Sequence, residues 1–225
     1  MSDRPRISAP GLATVLVALL FMGCSSQLTV QPPLPTEPVV SPSQSRVGVY
    51  MKPTPTGSLD LGSGVWPKTA YQFSPHESLF SDLVALTKRH FPNSSVANST
   101  VDKRFDYVIE FVCNGAAVET NTLATKIPLT ISMRNPVSFQ DVYTETVVGQ
   151  GGAQSGRFLD LAFGRVTERR ALEKSLNEAT TDLYRKTNAS LAKMAINESE
   201  IEMTRPYKRN ESKSVSPMRR SRRGG

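Results

Sequence analysis

Apolar and polar residues alternate along several stretches of the chain and recur at helical spacing in two others. Val47, Val49 and Met51 share one face of Arg46 to Lys52, a short strand signal. Phe105, Tyr107, Ile109, Phe111 and Cys113 alternate with Asp106 and Glu110, as in a half-buried strand. From Lys126 to Arg134 the pattern repeats, with Ile127, Leu129, Ile131 and Met133 inward and Thr130, Ser132 and Arg134 outward. Asn135-Pro136 marks a turn, and Val137 to Val148 carries a third strand of the meander, with Asp141 near its start. Pro128 predicts that the strand holding it lies at an edge or is bulged there.

Two segments have helical period. Ser74-Pro75-His76-Glu77 reads as a helix start, with Ser74 as cap, Pro75 at the first helical position and Glu77 completing a capping box. Leu79, Phe80, Leu83, Val84 and Leu86 follow at helical spacing, and Pro92 predicts a stop near Phe91. The second helix is predicted from Arg157 to about Lys186, through Leu161, Val166, Leu172, Leu176, Ala179 and Leu183. Asn188-Ala189 reads as a bend or a fraying point, with extension towards Ile201. Between these segments lie a long loop or irregular hairpin (Pro53, Pro55, Gly57, Gly62, Gly64) and a glycine run at 149–156. Trp66 at the end of that loop reads as a lid on a small core. The glycine run reads as a flexible connection; it has neither a Gly-Lys-Ser/Thr ending nor the dinucleotide-binding register. The order strand-helix-strand-strand-strand-helix predicts an α+β two-layer sandwich. Its mainly antiparallel sheet of about four strands carries two helices on one face.

The N-terminus has a different character. Arg4 and Arg6 precede an uncharged apolar run from Gly11 to Met22, the n- and h-regions of a secretory signal. The run is short of the ~20 residues that a membrane-spanning helix needs. It ends at Leu19-Leu20-Phe21-Met22-Gly23-Cys24. This stretch resembles the lipobox of bacterial lipoproteins, although Phe21 and Met22 stand where that family usually has Leu and a small residue. The same residues also fit an ordinary signal peptide or a signal anchor that happens to hold a Cys.

The resemblance implies cleavage before Cys24 and acylation of Cys24. Ser25, rather than Asp, at the next position implies the outer membrane, with the rest of the chain in the periplasm. Element order and lipobox together are similar to small periplasmic lipoprotein domains that serve larger machines: the lipopolysaccharide-assembly lipoprotein, the penicillin-binding-protein activators and the curli-secretion lipoprotein. Cys24 is the one functional residue carried over. The expected organisation is a signal over residues 1–23, a Pro/Ser-rich tether over 24–45, the α+β body over 46–203 and a basic, disordered tail over 204–225.

Charge singles out the tail. The net charge of the chain is +7. Arg205, Lys208, Arg209, Lys213, Arg219, Arg220, Arg222 and Arg223 stand there against Glu211 alone, which accounts for all of it. These eight are candidates for contact with anionic lipid headgroups or lipopolysaccharide phosphates. Tyr207 is the single aromatic among them, so nucleic-acid stacking is weakly supported. A solvated tail that binds nothing reads equally well.

Little else suggests chemistry. With Cys24 acylated, Cys113 is left without an intramolecular partner, and it continues an apolar strand face, as a core thiol does. His76 and His90 are not spaced as a metal pair, and His90 is placed to complement a helix dipole. Asp60, Asp82 and Asp102 have no recognisable nucleophile or base partner, and Glu119 and Glu145 are candidates to face each other across the sheet. No cofactor or metal is expected. The chain is expected to be a non-enzymatic accessory or assembly factor for an envelope protein complex. The alternatives are a binder of anionic lipid, lipopolysaccharide or a small ligand through the tail or sheet face, and a periplasmic hydrolase.

Overall fold

The computed structural model describes residues 25–28, 30–37, 39, 42–53, 57–60, 70–119, 123–152 and 165–204. In chain order these hold β1 (Ser25–Gln27), β2 (Val47–Met51), β3 (Gly57–Asp60), β4 (Ala70–Phe73), α1 (Pro75–His90), β5 (Ser95–Val96) and β6 (Tyr107–Cys113). β7 (Ala117–Val118), β8 (Thr125–Arg134), β9 (Asp141–Gly151) and α2 (Arg165–Thr204) follow.

The expected α+β layering is present. β2, β6, β8 and β9 form the body of one open sheet. β6–β8 and β8–β9 are antiparallel, whereas β2 runs parallel to β6, because α1 carries the chain back across the sheet between them. The two-residue strands β5 and β7 extend this sheet beside β2 and β8. Alternate residues of β2, β6 and β8 (Val47, Val49, Met51; Tyr107, Ile109, Phe111; Ile127, Leu129, Ile131, Met133) are buried. They form one core with Leu79, Leu83 and Leu86 of α1 and Leu172, Leu176, Leu183 and Leu191 of α2. Each fully buried Leu or Ile contributes about 1.5–3 kcal/mol of apolar transfer. On the opposite face Gly48 lets Phe105 cross β2, since a Cβ there would meet the Phe105 ring at 2.7 Å.

Several local expectations are corrected. Pro128 is not on an edge strand: β8 is paired on both sides. β6 ends its pairing at Leu129 and β7 begins at Lys126, so the missing N–H falls in the gap between them. The glycine run is in part strand, because β9 continues to Gly151. α2 does not fray at Asn188-Ala189 but continues as helix, past Ile201 as expected, to Thr204. α1 begins and ends where Pro75 and Pro92 predict, but Ser74 caps it without a side-chain hydrogen bond. Of the two readings of the segment after β2, the hairpin is the one present, as antiparallel β3 and β4; what the expected order lacks is the separate three-stranded sheet that this pair forms with β1. Trp66, residues 153–164, the signal, Cys24 and the tail from Arg205 lie outside the described residues.

Candidate functional site

The stretch expected to be a free tether is instead bound to the body. β1 begins at Ser25, the residue after Cys24, and pairs in parallel with β4. Leu28, 1 % exposed, and Val30 enter the core. The chain then runs as a strap along α1. Gln31 N–H donates to Asn177 Oδ1 of α2 at 3.2 Å. The Arg89 guanidinium donates to the carbonyls of Pro35 and Glu37. Ser43 N–H closes on the His90 carbonyl at 2.8 Å. Burial of two apolar side chains and capture of carbonyls by Arg89 hold the segment on the body, and the extended preference of the prolines suits its course along α1. A cleft of about 450 Å³ remains between the strap and the first turns of α1, lined by Leu28, Val30, Pro32, Glu77, Ser81 and Asp82.

His90, the last residue of α1, meets this strap. It is 3 % exposed, and its Nε2–H donates to Asn188 Oδ1 at 2.9 Å. Asn188 Nδ2 donates in turn to Glu37 Oε2 at 3.3 Å, so one amide joins α1, α2 and the strap. Burial lowers the His90 pKa, so the ring is neutral near pH 7. Its expected role as a charge at the helix C-terminus is therefore replaced by a packing and hydrogen-bonding one. His76 stacks on Phe80 with ring centroids 5.0 Å apart.

A second polar assembly joins β9 to α2. Glu145 accepts from Tyr143 Oη at 2.6 Å, from Ser190 Oγ, and from Lys193 Nζ at 3.1 Å. These donors hold Glu145 below the usual carboxylate range, with the Ser190 bond the largest cause. Burial and the adjacent carboxylate push Tyr143 up to about 12. A carboxylate so satisfied is a weak base, and the arrangement fastens α2 to the sheet. Glu119 is elsewhere, paired with Lys126 at 2.8 Å, so the two carboxylates do not face each other. Further along, α2 closes the outer edge of β9. Lys186 Nζ donates to the Val148 carbonyl at 2.7 Å. Asp182 accepts from Gln150 N–H and Glu178 from Gly152 N–H, each at 3.1 Å. An open cleft of about 340 Å³ lies along this junction, between Thr146 and Val148 on one side and Lys186, Ala189 and Lys193 on the other.

The other candidates are structural in their surroundings. Cys113 is fully buried, and burial raises its thiol pKa. Asp82 accepts from Tyr184 Oη at 2.8 Å, which joins the two helices. Asp102 is held at about 2 by Arg104. Among the described residues no three or more His, Cys, Asp or Glu side chains gather as a metal site. No described helix is long and apolar enough to cross a membrane. Cys24 and the eight basic tail residues are not among the described residues. The Glu145 and Asn188 assemblies were not legible, since all their partners but Tyr143 lie 45 to 151 residues away in sequence.

No protein-family model matches the chain, and no curated protein matches it. Solved structures do. Protein XCC0632 from Xanthomonas campestris, of the DUF330 family, superposes with a TM-score of 0.50 at 14 % identity, over 81 % of this chain and 100 % of that one. A neuraminyllactose-binding hemagglutinin homolog from Helicobacter pylori gives a TM-score of 0.46 at 12 % identity, over 76 % and 98 %. Lipoprotein GNA1162 from Neisseria meningitidis gives 0.29 at 10 % identity, over 56 % and 98 %. Proteins named lipoproteins are thus among the structures this chain loosely resembles, and its likeness to the Xanthomonas protein is one of fold.

Proposed function

We propose that this protein is a lipid-anchored lipoprotein of the outer membrane, cut before Cys24 and facing the periplasm. There it serves as a non-enzymatic accessory or assembly factor for an envelope protein complex. The observation that carries the reading is the N-terminal order of basic residues, apolar run, Gly23 and Cys24, which leads at once into a folded strand at Ser25. Acyl chains at Cys24 contribute ~0.8 kcal/mol per buried methylene, enough in combination for stable anchoring. Because β1 starts one residue later, the anchor would hold the small sheet close to the membrane rather than on a long spacer. The α1–α2 layer and the open sheet face are then available to a protein partner.

The test is expression of the full chain and a Cys24→Ala variant, envelope fractionation, and intact mass. The expected result is an acyl mass increment and outer-membrane recovery for the parent only. Identical masses and fractions for the two would refute the anchor. The accessory role is tested separately, by crosslinking in intact cells from positions on the α1–α2 layer. Loss of one defined adduct on substitution of the contacting residues is expected, and no protein adduct from any position would count against the role.

A further inference from the structure

β9 is an outer strand: β8 pairs with it on one side, and its other edge faces the groove beside α2. In an antiparallel strand the N–H and C=O of one residue point the same way, and successive residues alternate. The Val148 carbonyl and the Gln150 N–H, like the Gly152 N–H just after β9, meet α2 side chains. The even-numbered residues of β9 thus direct their main chain away from β8, and Thr144 and Thr146 are among them. Both are exposed, and on that side neither main chain has a partner among the described residues. A bulge at Val142 ends the regular ladder on one side of this window, and Lys186 on the Val148 carbonyl closes the other. An unpaired row of donors and acceptors fits another extended main chain.

The side chains around the window narrow the choice of occupant. Lys186, Ala189 and Lys193 of α2 line the groove, and Ile196 continues their stripe at helical spacing. The Lys193 side chain is 58 % exposed and that of its partner Glu145 31 %. Lys186 is 37 % exposed and its partner Asp182 19 %. The ammonium groups stand nearer to solvent than the carboxylates paired with them, so an incoming strand meets positive charge on its helix side. Beyond Lys193 the surroundings turn apolar: Ile196, and Val137 and Phe139 in the turn ahead of β9, are exposed. A second copy fits poorly. Two β9 strands paired antiparallel about Thr144 would bring Lys193 of one copy near its counterpart in the other, since each reaches Glu145 of its own strand.

We infer that the outer edge of β9 from Thr144 to Val148 is a strand-addition site. It takes an extended segment of a protein partner, antiparallel to β9, with an acidic side chain between Lys186 and Lys193 and an apolar one towards Ile196. The inference rests on the accessory-factor reading for the partner's presence in the envelope, and it does not depend on acylation of Cys24. Main-chain hydrogen bonds supply the affinity and alternate side chains the selectivity. The residue opposite Val147, whose side chain is in the core beneath α2, faces the two lysines. Residues opposite Thr144 and Thr146 lie on the other face of the sheet, beside two β-branched side chains.

The experiment uses the Cys24→Ser chain and the peptide acetyl-Val-Glu-Val-Thr-Val-Leu-amide, which sets its Glu opposite Val147 and its Leu opposite Tyr143. On titration the amide resonances of Thr144, Thr146 and Val148 should shift, and hydrogen exchange at Thr144 and Thr146 should slow. N-methylation of the second and third Val removes the peptide N–H groups that face β9. It should weaken binding about ten-fold or more, with the protein unchanged. Thr146→Pro should do the same and keep the fold, because the lost N–H points away from β8; Thr146→Val should bind like the parent. Replacing the Glu of the peptide by Lys should weaken binding about ten-fold, and less at high salt. Absence of binding overturns the proposal, as does binding indifferent to N-methylation or to Thr146→Pro. Indifference to the Glu-to-Lys change overturns the acidic partner, and a dimer abolished by Thr146→Pro would assign the edge to a second copy. A defined adduct in the cellular crosslinking without peptide binding would remove the edge and leave the accessory role standing. Peptide binding with no adduct from any position would do the reverse.

Discussion

Gly151 of β9 passes against the backbone of Ser175 on α2, so closely that a methyl group on Gly151 would overlap the Ser175 carbonyl oxygen. Gly149 meets the Ala179 carbonyl in the same way one helical turn later. Glycine is required here for close approach of helix to strand, and the spacing of the two glycines matches the antiparallel course of α2 over β9. Gly151→Ala should therefore force α2 off the sheet and destabilise the fold by about 3 kcal/mol. Gly152→Ala, whose Cβ would lie an ordinary 3.5 Å from Glu178, is the control. Urea unfolding of both variants measures the difference, and equal midpoints would contradict the packing.

The strap makes a second prediction. Leu28 is in the core rather than on a free spacer, so Leu28→Ala should cost about 2–4 kcal/mol. A flexible tether would lose nothing. Thermal or urea denaturation separates the two outcomes, and limited proteolysis between residues 31 and 45 should accelerate in the same variant.

His90 gives the strap a pH dependence. Its folded pKa lies below the ~6.5 of an unfolded His. Between those values the unfolded chain binds more protons, so stability rises with pH there. The contribution is fully present above about pH 6.5 and is lost as pH falls towards the folded pKa. Arg89, Asn188 and Glu37 surround this site, and Arg89 reinforces the downward shift. Unfolding free energies across pH 5–8 should show this slope in the parent and a shallower one in His90→Gln. Parallel profiles would remove His90 from the account.

Cys113 should be silent to thiol reagents. Burial excludes the reagent and raises the thiol pKa, so little thiolate forms at neutral pH. In a Cys24→Ser chain, labelling should become fast only above the unfolding midpoint. Rapid labelling of the folded protein would show that the β6 face opens.

What local pattern specifies, the chain showed in advance. Alternation over 107–113 and 126–134 placed β6 and β8 with the right residues inward, because side chains project to opposite faces at every step of a strand, whereas Phe105, read on the same face, precedes β6 and packs on the opposite side with Ala97 and Val108. Pro75 and Pro92 bounded α1 because each constrains the backbone beside it. Residues 19–24 stood out as a candidate processing signal because such a signal is read as a linear segment. Val137 and Phe139 stood in the sequence as parts of a strand; their exposure follows from a turn extending to Gln140, held by Asn135.

Tertiary structure decided the rest. Glycines read as a flexible connection became a helix-contact strand once α2 lay across them. Glu145, read as a candidate to face Glu119 across the sheet, became the acceptor for donors from its own strand and from α2. Prolines that suit a spacer did not keep it free, because Arg89, Asn188 and the core offered it partners far along the chain. The period of a segment is a local property of backbone geometry, and the sequence by itself determined it. Which surfaces approach closely enough to exclude water and satisfy one another's hydrogen bonds depends on residues tens of positions apart, and only the folded arrangement brought those together.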